Sequence, residues 1–135
     1  GHGFRYVLLS ALAAALTVTL AACGGVASPS TNKSETFSGT LAPSQANPHP
    51  FTVSKTGEYQ ITITAQNPVQ VVGLGLGQYN NNTCNLTSSV DLFSKLNKPL
   101  SGSIQAGSYC ALIFDPINPT PLTASVTYTL TVNHP

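Results

Sequence analysis

The chain has 135 residues, a formal net charge of +1, 7% charged side chains, and neither tryptophan nor methionine. Beyond the first third of the chain Lys55, Lys95 and Lys98 are scattered among Glu58, Asp91 and Asp115, with Lys33 and Glu35 just before them. No basic stripe exists to neutralise phosphates, which excludes nucleic acid as a partner class; solubility rests on Ser, Thr, Asn and Gln.

Residues 1–22 read GHGFRYVLLSALAAALTVTLAA, with Arg5 ahead of an apolar run from Tyr6 to Leu20. A positive start followed by an apolar stretch is the pattern of a secretory signal peptide. The run is short of the roughly 20 apolar residues that a bilayer span requires. It ends in Leu20-Ala21-Ala22-Cys23, which resembles the lipobox of bacterial lipoproteins. The resemblance implies a cut before Cys23, a diacylglyceryl group on its thiol, and further acylation, palmitate included, of the new amino terminus. Each buried methylene contributes about 0.8 kcal/mol, so one chain binds marginally and several anchor stably. An ordinary signal peptide with a chance cysteine and a short membrane helix are the rival readings. The lipobox implies a bacterial cell envelope, with the membrane as partner through the lipid. Gly24, where aspartate favours inner-membrane retention, leans toward the outer membrane if the envelope is Gram-negative.

From Cys23 to Ser34 follows a linker whose GGVASPSTNKS is flexible and unable to bury anything. Residues 35–135 have the length of one modest domain. Weak strands are expected over 36–41 and 50–54. In GEYQITITAQN, alternation sends Tyr59, Ile61, Ile63 and Ala65 to one face and Gln60, Thr62, Thr64 and Gln66 to the other. PVQVVGLGLGQ sets Val72, Leu74 and Leu76 against Gly73, Gly75 and Gly77, which suggests close approach of a neighbour over the glycines. SSVDLFSKL (88–96) is expected to form one short turn of helix. A further weak strand lies in PLSGSIQ. AGSYCALIFDP is apolar on both faces, which predicts a central strand. TASVTYTLTVN turns Ala124, Val126, Tyr128, Leu130 and Val132 inward, and Ser125, Thr127, Thr129 and Thr131 outward. Short strands bounded by Gly, Pro and Asn turns predict an all-β domain: an antiparallel β-sandwich or small jelly roll.

With Cys23 assigned to lipid, Cys84 and Cys110 remain as an even pair in an oxidising compartment and read as one disulfide. Nothing places them in a C-x-x-C or beside a histidine, as a reactive thiol pair would need.

Two stretches carry a resemblance. FSGTLAPSQANPHPFTVSKTGEYQITITAQ looks like the opening of the prokaryotic pre-peptidase C-terminal domain, and LSGSIQAGSYCALIF with TYTLTVNHP looks like its close. The family is usually a non-catalytic appendage of exported peptidases and other enzymes. The middle departs from its pattern: VGLGLGQYNNNTCN stands where acidic positions are common, and the cysteines are not a family feature.

Catalytic chemistry finds little footing. His49 lies between prolines and His134 is next to last, both reading as chance residues on a loop and a frayed end. The acids are scattered rather than paired for glycoside hydrolysis, and Asp115 reads as a turn initiator before a proline. No metal or cofactor motif is found; the asparagines of QYNNNTCN bring no carboxylate. Two surfaces are candidates for binding. The first is a loop holding Tyr79, Asn80, Asn81, Asn82 and Asn85, an aromatic ring beside amides that would suit a sugar. The second is the proline-rich stretch from Asp115 to Thr123, a preformed shape for a protein partner. The expectation is a non-enzymatic envelope lipoprotein acting as a binding or structural module. The alternatives are an accessory domain for a separate exported hydrolase and a weak carbohydrate or cell-wall binder.

Overall fold

Alternating apolar and hydroxyl side chains can bury one face of a strand but no helical stripe, and strands account for most of the fold. The computed structural model describes residues 32–135; the leader, Cys23 and the linker through residue 31 lie outside the described residues. The strands are β1 (Lys33–Leu41), β2 (Ala46–Val53), β3 (Gly57–Asn67), β4 (Val72–Asn80), β5 (Thr83–Ser94), β6 (Leu100–Ile104), β7 (Gly107–Phe114) and β8 (Val126–His134). Lys33 and Ser34, linker by composition, thus open β1.

Two four-stranded antiparallel sheets form, in the orders β1-β8-β3-β6 and β2-β7-β4-β5. The first strand pairs with the last, the second with the seventh, the third with the sixth and the fourth with the fifth. That is a long antiparallel ribbon rolled on itself, the jelly-roll form of the sandwich. Only the β4–β5 turn stays within a sheet; every other connection crosses between the layers. The crossings after β1, β3, β5 and β7 gather at one end, while Lys33 and His134 sit at the other.

The inner faces supply the core. Ile61, Ile63, Leu130 and Val132 of one sheet meet Leu74, Ile113, Val53 and Val72 of the other, all buried. Each such side chain contributes about 1.5–3 kcal/mol by leaving water. β7 lies between β2 and β4, as its two apolar faces predicted. The outward face of the first sheet carries the hydroxyl rows: Thr36 opposes Thr131, which opposes Thr62, and Ser38 opposes Thr129.

Three local expectations are overturned. Residues 88–94, expected as a turn of helix, are the end of β5. Its pairing with β4 shifts register twice, so the strict alternation that marks a strand is interrupted there. Ala65 is exposed rather than inward, because a bulge between Ile63 and Ala65 reverses the phase and turns Gln66 toward the inner side, opposite Tyr128. Ala124 precedes β8 and is exposed.

Candidate functional site

The predicted sugar loop is a tight hairpin. β4 runs to Asn80 and β5 starts at Thr83, so only Asn81 and Asn82 turn, at φ of 50° and 60°. Two left-handed residues in a two-residue loop are what the strand twist favours, and asparagine tolerates them best after glycine. Tyr79 stands opposite Cys84, whereas Asn80 opposes Thr83 and Gln78 opposes Asn85. Successive pairs of a ribbon point to opposite faces. The structure therefore parts Tyr79 from Asn80 and Asn85, and leaves Asn81 and Asn82 at the exposed tip. The ring and the Asn80 and Asn85 amides thus lie on opposite faces of the ribbon.

Cys84 and Cys110 form the disulfide, with Cα atoms 5.9 Å apart. It closes a loop of 26 residues, a constraint that stabilises by about 3–4 kcal/mol in the chain-entropy account. The bridge explains Gly77, where a β-carbon would stand 2.6 Å from one sulfur and 2.8 Å from the other. Leu86 covers Gly75 and the ring of Phe114 covers Gly73 in the same way. The alternating glycines are thus a shelf for side chains from the two neighbouring strands.

The proline-rich stretch occupies the end of the sandwich where the crossings gather, and Asp115 organises it. Its carboxylate accepts the backbone N–H of Ser44 at 2.8 Å, of Ile117 at 2.9 Å and of Leu122 at 3.1 Å. Its own N–H donates to the Gln45 carbonyl at 2.9 Å. Burial pushes the carboxyl up, but the three N–H donors outweigh it and hold it below the usual carboxylate range. Asp115 is more than a turn initiator: it ties the β1–β2 and β7–β8 connections together. The side-chain oxygen of Gln70 accepts from Thr123 N at 3.3 Å, which joins the β3–β4 connection to them.

On this stitched end Ile117 is 55% exposed at φ 62°. The N–H of Asn118 donates to the Pro116 carbonyl at 2.6 Å, closing a tight turn around it. A β-branched residue in that region costs on the order of 1–3 kcal/mol and persists only where its surroundings impose it. Val69, on the adjoining β3–β4 connection, is 63% exposed. The end therefore presents two apolar side chains on a hydrogen-bonded frame.

His49 and His134 lie on strands rather than on a loop and a frayed end. His49 faces inward from β2, its Nε2 2.6 Å from the Tyr128 hydroxyl and its ring stacked on Phe37. Asn47 donates to the same hydroxyl at 3.1 Å and to the Thr40 carbonyl at 2.9 Å. The Tyr128 hydroxyl thus serves both the imidazole and the Asn47 amide in a part-buried setting. Burial accordingly lowers the His49 pKa, and burial raises that of Tyr128 against the opposing Asn47 bond. His134 is buried, with Nε2 2.5 Å from Glu35 Oε2, Nδ1 2.9 Å from the Pro135 carbonyl oxygen, and its ring against Phe51. An open groove of about 590 Å³ beside it is lined by Lys33, Glu35, Phe51 and Thr52 among others. These contacts bind the edge strands β1 and β2 to β8. The sequence signal for them was the parity of residues 47, 49 and 51 against the inward rows, obscured by the flanking prolines.

Among the described residues no group of three or more His, Cys, Asp or Glu stands close enough to hold a metal ion. No helix among them is long and apolar enough to cross a membrane. No known family pattern and no curated protein matches this chain.

Proposed function

We propose that this chain is a bacterial cell-envelope lipoprotein, anchored through acyl chains on Cys23, whose β-sandwich works as a non-enzymatic binding module. The observation that carries the reading is the Cys84–Cys110 bridge. It uses two of the three cysteines and leaves Cys23, at the end of Leu20-Ala21-Ala22, as the odd one. A structural disulfide also suits an exported protein. The module's binding surface is the frame around Asp115, where Ile117 and Val69 are offered to an envelope protein. The resemblance to the pre-peptidase C-terminal domain supports a non-catalytic role of this kind.

The test uses the full chain in bacterial cells fed an alkyne-bearing palmitate analogue. Wild type takes up the label, its intact mass lacks residues 1–22, and Cys23→Ser abolishes both changes. A free thiol at Cys23, or a retained leader, overturns the anchoring. For the binding surface, a photo-crosslinking residue at position 117 gives a discrete adduct that one at position 62 does not. Equal or absent adducts at the two positions overturn the assignment of that surface.

A further inference from the structure

The four edge strands of the sandwich are not equally guarded against pairing with another chain. Edge strands expose a row of unpaired N–H and C=O groups, and proteins blunt them with prolines, bulges, charges or brevity. β2 carries Pro48 and Pro50, and proline within a sheet belongs on an edge because it has no N–H to donate. β5 is bent by two register shifts. β6 has five residues and follows Pro99 directly. β1 carries no proline, has no bulge and is not short. Its nine residues, KSETFSGTL, keep unbroken register with β8 from Lys33 to Leu41. Its two charges fall in the first three residues, and Glu35 is already engaged by His134.

We propose that β1 is a self-association edge, pairing antiparallel with β1 of a second copy about a two-fold axis at Phe37. The seam joins the two β1-β8-β3-β6 sheets into one continuous sheet. In that register Lys33 faces Leu41 of the second copy, Ser34 faces its Thr40, Glu35 its Gly39 and Thr36 its Ser38. All nine residues pair, and no like charges are opposed, which is the condition an isologous contact sets on its own sequence. Same-face neighbours across the seam continue the hydroxyl rows that Thr36, Thr131 and Thr62 form within one copy. Phe37, half-buried against His49, meets its own symmetry mate and loses its remaining exposure. Pro48 and Pro50 keep the second sheet from pairing in the same way, so the contact is a single-sheet seam. A foreign strand could satisfy the backbone but would not bring this self-complementary set of side chains. The inference stands apart from lipid anchoring.

The full chain, solubilised in a mild detergent, is examined by light scattering corrected for bound detergent. Wild type has the mass of a dimer that dissociates on dilution. T36K/S38K and T36E/S38E each place two like-charge pairs across the seam, and each weakens the dimer by about tenfold or more. Mixing the two restores it, because the register then opposes Lys to Glu. A monomeric wild type at every concentration, or a dimer indifferent to these charges, overturns the proposal. Should a charged variant fail to fold, T36C/S38C of the full chain in the same detergent solution decides the matter. Oxidation links it into dimers well above Ser88→Cys, an exposed position on the guarded β5 edge; equal yields from the two overturn the seam.

Discussion

The ring of Phe114 lies across Gly73 and fills the space a β-carbon on residue 73 would need. β7 and β4 pair Phe114 directly with Gly73, so the ring has nowhere to go but over its partner. Gly73→Ala forces the ring off its rotamer or the strands apart, at a cost of about 1–3 kcal/mol. Urea unfolding of Gly73→Ala, alone and combined with Phe114→Ala, checks the cause. Removing the ring relieves the clash, so the alanine at 73 costs less in the double variant than in wild type.

Asp115 holds three backbone N–H groups from two connections. Asp115→Ala leaves donors without partners, and the expected loss is about 2–4 kcal/mol, read from chemical denaturation. The carboxyl's pKa is lowered in the folded state. A depressed carboxyl stabilises above its unfolded value, near 3.9, and that contribution disappears as pH falls through the folded value. The difference in stability between wild type and Asp115→Ala is therefore constant near neutrality and shrinks in acid below about pH 4. A difference that stays the same at pH 3 would contradict the role given to the ionised carboxylate.

His49 and Tyr128 share a hydrogen bond of 2.6 Å, and burial shifts them in opposite directions. For His49 the folded pKa is lowered, so its contribution is present above the unfolded value of about 6.5 and declines as pH falls below it. For Tyr128 the folded pKa is raised, so its contribution is present below about 10 and is lost at higher pH. His49→Gln removes the acid-side decline that this histidine causes, while Tyr128→Phe removes the alkaline-side one. Thermal melts of the variants across both ranges test the assignments separately.

Asn82 turns the β4–β5 hairpin at φ 60°. Asn82→Gly, giving an Asn-Gly turn, is expected to raise stability by up to about 1 kcal/mol, and Asn82→Ala to lower it by about 1 kcal/mol. Both follow from denaturation midpoints. Neither change reaches the Asp115 end, so a crosslink from position 117 is unaffected by either.

Much of this architecture could be read from residue order. Tyr59, Ile61 and Ile63 and the row from Val126 to Val132 gave the two strands at the centre of the first sheet, and Cys84 and Cys110 were paired by count. Some readings failed where tertiary pairing alters the local period. A bulge at Ala65 flips one strand's faces, and two shifts in β5 hide a strand behind an irregular pattern. Tyr79 and Asn85 look like neighbours across a loop, yet a two-residue turn sends them to opposite faces.

The sequence by itself determined the all-β class and the central place of β7, because period-two burial is a local property of the chain, and it offered the Cys84–Cys110 pair only once Cys23 is set aside. Which strands lie side by side was decided only in three dimensions. So were the stitching of three connections by Asp115 and Gln70, the seating of His49 against Tyr128 and of His134 against Glu35, and the place of β1 at a sheet edge. The physical reason is that a strand makes all its ladder hydrogen bonds to other strands, here mostly distant in the chain, and the partner, not the strand, sets the register.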